Sequence, residues 1–148
     1  MENNKMFTNL PIEDSLIRAV ERCGYEEMTE IQELVIPVAL EGYDILAQAP
    51  TGTGKTCAYG LPILENIDLN NNNVQVLILS PTRELAIQIS EDLREYSYYK
   101  EGVRIVTLYG GEYIEKQITS LKKKPQIIVA TPGRLMDHME RRTVRLDR

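Results

Sequence analysis

Only two cysteines occur in 148 residues, Cys23 and Cys57, and they form neither a disulfide framework nor a metal-ligand spacing. Both are expected to serve as small buried apolar residues, which suits a reducing compartment and a cytoplasmic chain. Long apolar runs are missing too. Nothing approaches a membrane span, and the polar start Met1-Glu2-Asn3-Asn4-Lys5-Met6-Phe7 is no secretory signal. No repeat recurs at the periods of solenoids. Phenylalanine occurs once, at Phe7, in a polar N-terminal stretch rather than a core-like run. What remains, 43% apolar and 26% charged, is the composition of an ordinary globular chain, one domain or part of one.

Positive charge is scarce overall, with a net charge of −5, which taken alone argues against a nucleic-acid partner. Its distribution argues otherwise. Residues 1–112 carry 8 basic and 18 acidic residues, whereas residues 113–148 carry 9 basic and 4 acidic ones. The basic segment is built mainly from Lys122, Lys123, Lys124, Arg141, Arg142, Arg145 and Arg148. A solvated helix end explains such a cluster about as well as a phosphate-binding face does.

The most informative stretch is Asp44-Ile45-Leu46-Ala47-Gln48 followed by Ala49-Pro50-Thr51-Gly52-Thr53-Gly54-Lys55-Thr56. It reads as a strand, a phosphate-binding loop and a helix starting at Lys55. Gly52 and Gly54 permit backbone angles and close approaches that a β-carbon would block, so successive N–H groups can wrap a polyphosphate. Lys55 would reach the terminal phosphates, the Thr56 hydroxyl would hold Mg²⁺, and the helix would turn its positive end towards the same anion. Ala49 stands where the general pattern has its first glycine. The competing reading is a turn before a helix that merely contains Gly-Lys-Thr.

Apolar spacing at Leu16, Ile17, Val20 and Cys23 predicts a helix over 13–23, stopped at Gly24. A second begins with Thr29 as cap and runs through Ile31, Leu34, Val35 and Leu40 to Gly42, with Pro37 expected to kink it or end its first half. Lys55–Asn66 reads as helix, and residues 70–73, all asparagine, as a flexible polar turn. Three near-continuous apolar strands follow, Val74–Leu79, Arg104–Tyr109 and Gln126–Ala130. Helices are predicted over Glu84–Tyr98 and Tyr113–Leu121, and a last one over 134–141. Buried strands alternating with helices specify an α/β fold, a parallel sheet with helices on both faces.

Two segments have one layout. Ser80-Pro81-Thr82-Arg83 and Thr131-Pro132-Gly133-Arg134 each follow an apolar strand and open a helix, with a hydroxyl at the cap and Pro at the first helical position. Both fall at the carboxyl ends of strands, where open α/β sheets place ligands. Each sets an arginine in the first helical turn, where the helix dipole disfavours a cation, so a compensating anion is expected. Local pairs, Arg83 with Glu84 and Arg134 with Asp137, are the alternative. Gly110-Gly111, after the strand ending at Tyr109, offers a third close approach of backbone to a ligand.

These segments together resemble the first half of a DEAD-box RNA helicase over nearly the whole chain. Ala49–Thr56 resembles the family's first motif, where Ala at the first position is usual. Pro81-Thr82-Arg83-Glu84-Leu85-Ala86-Ile87-Gln88 resembles motif Ia, Gly110-Gly111 the glycine doublet, and Thr131-Pro132-Gly133-Arg134 motif Ib. Gly24-Tyr25-Glu26-Glu27-Met28-Thr29-Glu30-Ile31-Gln32 is similar to the Q motif, with Phe7 the upstream aromatic that lies against adenine. The resemblance implies ATP and Mg²⁺ as cofactors. Phe7, Tyr25, Thr29, Gln32, Ala49, Thr51, Gly52, Thr53, Gly54, Lys55 and Thr56 would hold the nucleotide, Thr56 the metal. Lys55 and Thr56 would act on the transferred phosphate. It further implies a grip on the RNA sugar–phosphate backbone by Pro81, Thr82, Arg83, Gly110, Gly111, Thr131, Pro132, Gly133 and Arg134. A glutamine amide supplies one donor and one acceptor to adenine, and an aromatic face supplies stacking. Met28 and Glu30 stand where the family usually has proline, a departure expected to loosen the local turn.

The resemblance divides the chain into an adenine-recognition region, 1–42, and a partial RecA-like ATP-binding domain, 43–148. An Asp-Glu-Ala-Asp segment should follow on the next strand, then a Ser-Ala-Thr segment and a second RecA-like domain, a partner within a longer helicase. Phosphoryl transfer to water needs a metal-holding acid, a positioned water and an arginine finger, and residues 57–148 hold no apolar strand ending in paired acids. The chain alone is therefore expected to hydrolyse ATP poorly or not at all, with an unpaired apolar sheet edge on either side of the missing strands. A non-catalytic nucleotide- or RNA-binding module and a small-molecule P-loop kinase are the rivals.

Overall fold

The computed structural model describes residues 5–147, so the first four residues and Arg148 of the basic segment lie outside it. The described chain divides into two compact units, residues 5–66 with 92–101, and residues 67–91 with 102–147. Helix α4, Arg83–Tyr96, contributes its first part to the second unit and its last turns to the first.

The first unit is helical. A 3₁₀ turn at Phe7–Asn9 precedes α1 (Asp14–Arg22), α2 (Glu30–Leu40) and α3 (Lys55–Asn66), with α2 packed on α3 and α1 on both α3 and the 3₁₀ turn. The apolar spacing predicted for α1 buries Leu16, Ala19 and Val20. Thr29 caps α2 in a reciprocal capping box: its hydroxyl accepts from the Gln32 N–H, while the Gln32 Oε1 accepts from the Thr29 N–H. Pro37 neither ends nor splits α2, which continues to Leu40. Pro37 is exposed, while Val35 and Ile36 beside it are buried, so packing holds the helix together where one N–H is missing. Phe7 departs from its polar neighbourhood. It is 1% exposed, a core residue, and its N–H donates to the Glu26 carbonyl.

The strand expected over Asp44–Gln48 does not form. Residues 43–50 have no regular structure, and Leu46 is fully exposed. An extended segment becomes a strand only when a neighbour accepts its ladder of hydrogen bonds, and this one has none among the described residues.

The second unit holds a parallel three-stranded sheet, order β1-β3-β2, from β1 (Val76–Leu79), β2 (Ile105–Leu108) and β3 (Ile127–Ala130). The central strand β3 is buried throughout, whereas β1 at one edge leaves Leu77 and Leu79 exposed, the latter by 56%. Val106, Leu108, Ile128 and Ala130 pack on one face with Leu135 of α6 (Pro132–Glu140) and Val144. On the other face the Thr107 hydroxyl donates to Ser90 of α4, 2.6 Å away, so helices cover both faces as predicted. Helix α5 (Ile114–Leu121) leads from β2 to β3. Among the described residues no helix is long and apolar enough to cross a membrane.

Register fixes the site. Leu79, Ala130 and Leu108 are level with one another, so the segments opening at Ser80, Tyr109 and Thr131 leave the sheet together at its carboxyl edge. Arg104 and Lys122–Lys124 precede β2 and β3 at the opposite edge, where the Arg104 Nε–H donates to the Lys124 carbonyl. The triple lysine therefore does not extend the Arg83 and Arg134 surface.

Candidate functional site

In the first unit, the loop Ala49–Thr56 joins the irregular segment 43–50 directly to α3. Gly52 and Gly54 have φ of +84° and +86°, in the left-handed region that favours glycine. Two residues at the start of α2 tie the loop down. The Thr29 hydroxyl donates to the Thr53 carbonyl at 2.6 Å, and the Gln32 Nε2 donates to the Gly54 carbonyl at 3.1 Å. The Thr53 hydroxyl closes the turn by donating to the Pro50 carbonyl, also 2.6 Å. With these carbonyls drawn back, the amides of Gly52, Thr53, Gly54, Lys55 and Thr56 make no hydrogen bond among the described residues. Unpaired amides on a left-handed turn at a helix N-terminus form an anion nest. Any side chain at residue 54 would collide with the Gln32 amide.

The fit to a nucleotide polyphosphate is good, and Lys55 is exposed beside the nest. For Mg²⁺ the protein offers the Thr56 hydroxyl, now beside the Tyr59 phenol, whose pKa burial pushes up while the Thr56 hydrogen bond holds it down. No cluster of three or more acidic, His or Cys side chains suited to a metal occurs among the described residues.

Around Met28 and Glu30, the segment resembling the Q motif is held by backbone hydrogen bonds to the stretch before α1. Met28 is buried, its N–H donates to the Lys5 carbonyl at 2.6 Å, and Met6 pairs with Glu27 in an antiparallel bridge. Gln32 is buried and spends one amide hydrogen on Gly54 and one lone pair on Thr29, leaving one of each. Phe7 lies stacked beside Tyr25, ring centroids 6.2 Å apart, and Tyr25 is the ring that reaches solvent.

In the second unit, the three predicted backbone-binding segments meet on the turn Tyr109–Glu112. The Arg83 guanidinium lies 5.3 Å from the centre of the Tyr109 ring. Gly111 has φ +93°, and a β-carbon there would stand 2.7 Å from the Arg83 Nη1. From the other side the Arg134 Nη1 donates to the Glu112 carbonyl at 2.9 Å and to the Gln117 Oε1 at 3.2 Å. Tyr109 donates its hydroxyl to the Glu112 carboxylate at 3.1 Å, and burial together with that carboxylate pushes the phenol pKa up.

The two segments are less alike than their sequences. Thr82 caps α4, its hydroxyl accepting from the Leu85 N–H, and Pro81 stays outside the helix. Thr131 caps α6 with Pro132 first, but its hydroxyl makes no cap bond and sits 3.5 Å from the Leu108 carbonyl. Arg83 thus opens its helix, whereas Arg134 lies two residues further in. Asp137 pairs with Arg141 at 2.9 Å, so the local Arg134–Asp137 hydrogen bond does not form. Pro81, Thr82, Arg83, Gly110, Gly111, Pro132 and Gly133 are exposed, and Thr131 and Arg134 half-buried.

Gln117 and His138 were not singled out from sequence. The signal was present, since Gln117 occupies an inward position between Ile114 and Leu121, and His138 falls three residues after the buried Leu135.

With this geometry in hand, comparison with known proteins gives one answer. The DEAD/DEAH box helicase family profile matches residues 29–148. The ATP-dependent RNA helicase CshA of Listeria monocytogenes is 55% identical over 95% of the chain, and that of Limosilactobacillus reuteri 57% identical over the same share. The chain spans 27% and 28% of those relatives, about a quarter of their length. The crystal structure of a DEAD box protein from Methanococcus jannaschii superposes with a TM-score of 0.89 at 40% identity, covering 96% of this chain and 39% of that one. The chain belongs to the DEAD/DEAH box helicase family and has the fold of its RecA-like domains.

Proposed function

We propose that the chain is the N-terminal part of an ATP-dependent RNA helicase, binding ATP in its first unit and the RNA sugar–phosphate backbone in its second. The observation that carries the RNA assignment is the convergence of Arg83, Gly111 and Arg134 on one turn at the carboxyl edge of the sheet. Two guanidiniums, exposed glycine backbone and the Thr82 hydroxyl suit phosphate and ribose oxygens. None of them reads a base edge, so sequence preference should be weak.

In the first unit the amides of residues 52–56 would wrap the nucleotide phosphates, and Lys55 would add a point charge at their end. The spare amide hydrogen and lone pair of Gln32 would meet adenine, with the Phe7–Tyr25 pair supplying the aromatic surface. The Thr56 hydroxyl, turning from Tyr59, would help hold Mg²⁺, which would supply positive charge against the phosphates. Alone, the chain should hydrolyse ATP poorly or not at all, because the described residues contain no group of three or more acidic, His or Cys side chains able to hold the metal and residues 57–148 contain no apolar strand ending in paired acids. The resemblance assigns those groups to segments beyond residue 148 and to a second RecA-like domain.

Titrating a labelled single-stranded oligonucleotide at several salt concentrations tests the RNA assignment. Arg83→Ala and Arg134→Ala should each weaken binding by a similar factor for unrelated sequences and flatten the salt slope by about one. Unchanged affinity and slope in both variants would remove the assignment.

A further inference from the structure

The Gln117 amide lies in the interior, 1% exposed, beside His138 at 0%. Hydrogen-bond chemistry fixes the orientation of the amide and the hydrogen on one ring nitrogen. The Tyr109 carbonyl can only accept, so the Gln117 atom 2.8 Å from it must be Nε2. Oε1 therefore faces the other way, where it accepts from the Arg134 Nη1 at 3.2 Å. The same oxygen lies 2.8 Å from the His138 Nε2, so this nitrogen carries the hydrogen. In the neutral ring Nδ1 then keeps the lone pair, 2.7 Å from the Thr143 hydroxyl, which also lies 3.1 Å from the His138 carbonyl.

The consequence falls on Arg134. Its Nη1 hydrogens go to the Glu112 carbonyl and to Gln117. The Nε–H and the Nη2 hydrogens have no partner among the described residues. These are the donors of one flat edge of the guanidinium, the edge that grips a phosphate with two parallel hydrogen bonds.

We propose that Gln117 and His138 are positioning residues for RNA binding: His138 locks the Gln117 amide, and Gln117 holds the Arg134 guanidinium with its Nε/Nη2 edge offered to a backbone phosphate. The proposal rests on the RNA reading above and deepens it. Neither side chain can touch RNA, since both are buried, so each acts through Arg134.

The test is the affinity of the chain for a fluorescent oligouridylate, with Arg134→Ala as reference. Gln117→Leu should weaken binding about tenfold and cost nothing further in the Arg134→Ala background. His138→Leu should weaken binding, and His138→Gln, whose amide can present an N–H where Nε2 stood, should restore most of it. Nitrogen NMR reads the arrangement without RNA: His138 should show the Nε2–H tautomer, and the Arg134 Nε–H resonance should move in Gln117→Leu and in His138→Leu but not in His138→Gln. The His138 spectrum and the His138→Gln rescue keep the test open should Gln117→Leu fold poorly. Wild-type affinity in Gln117→Leu and His138→Leu, or equal losses with and without Arg134, would overturn the positioning role while leaving the RNA reading intact. Unchanged RNA affinity in Arg134→Ala would remove the RNA reading and this role with it.

Discussion

The Arg83 guanidinium occupies the space that a side chain on residue 111 would need. A β-carbon there would stand 2.7 Å from the Arg83 Nη1, and the backbone of Gly111 has φ +93°. The glycine doublet thus lets an arginine more than twenty residues earlier lie across the turn. Gly111→Ala should cost about 1–3 kcal/mol of stability from backbone strain. It should also weaken RNA binding by pushing Arg83 aside. Urea unfolding and oligonucleotide titration measure the two effects, and a variant with both at wild-type values would show that the close approach is not needed.

Gln32 is both the N3 member of a capping box and a latch on the Gly54 carbonyl. Gln32→Ala should lower stability by about 1–2 kcal/mol, because the Thr29 N–H loses its acceptor in the capping box and the Gly54 carbonyl loses a donor. The preference for ATP over GTP should fall as well. Competition between the two nucleotides for a fluorescent ADP analogue reads this directly, and an unaltered preference would end the adenine assignment.

Much of this arrangement was legible in the sequence. The bounds of α3, the Thr29 cap and the three parallel strands follow from local signals: glycines before a helix, a hydroxyl three residues before Gln32, and near-continuous apolar runs. The failures share a cause, dependence on partners distant in sequence. Asp44–Gln48 has the composition of a strand but lacks a neighbour to pair with. Phe7 sits among polar residues yet is buried in the helical unit. Arg134 has an acidic residue at helical spacing, but Asp137 pairs with Arg141 while Arg134 turns to Glu112 and Gln117. Nothing in the local sequence around Arg134 names those partners.

His138 should make stability depend on pH in a defined window. Burial, and then the nearby Arg134, push its pKa below the ordinary value of 6.5, with Arg141 acting in the same sense and Asp137 opposing. The unfolded chain therefore binds a proton at a higher pH than the native one does. Stability is fully present above about pH 6.5 and is lost as pH falls through that value, until the native ring itself protonates. Urea midpoints should drop between about pH 7.5 and about pH 5.5, with a shallower drop in His138→Gln. Equal slopes in the two proteins would contradict a buried neutral ring.

The cysteines should differ in reactivity. Cys57 is fully buried, and burial pushes its thiol up to about 12. Cys23 is half-buried and its thiol is raised as well, first by burial and then by Glu95. Mass spectrometry after iodoacetamide treatment at mildly alkaline pH should find Cys23 modified slowly and Cys57 only once urea unfolds the chain. Rapid labelling of native Cys57 would mean that the helical unit opens easily.

The central claim is that the unpaired amides beside Gly52 and Gly54, with Lys55, hold the phosphates of ATP. Calorimetric titration of the chain with ATP and Mg²⁺, repeated on Lys55→Ala, tests it most directly. The account predicts saturable heat at one site per chain and its loss in the variant. Silence in the wild-type titration, or equal affinity with Lys55 removed, would contradict it.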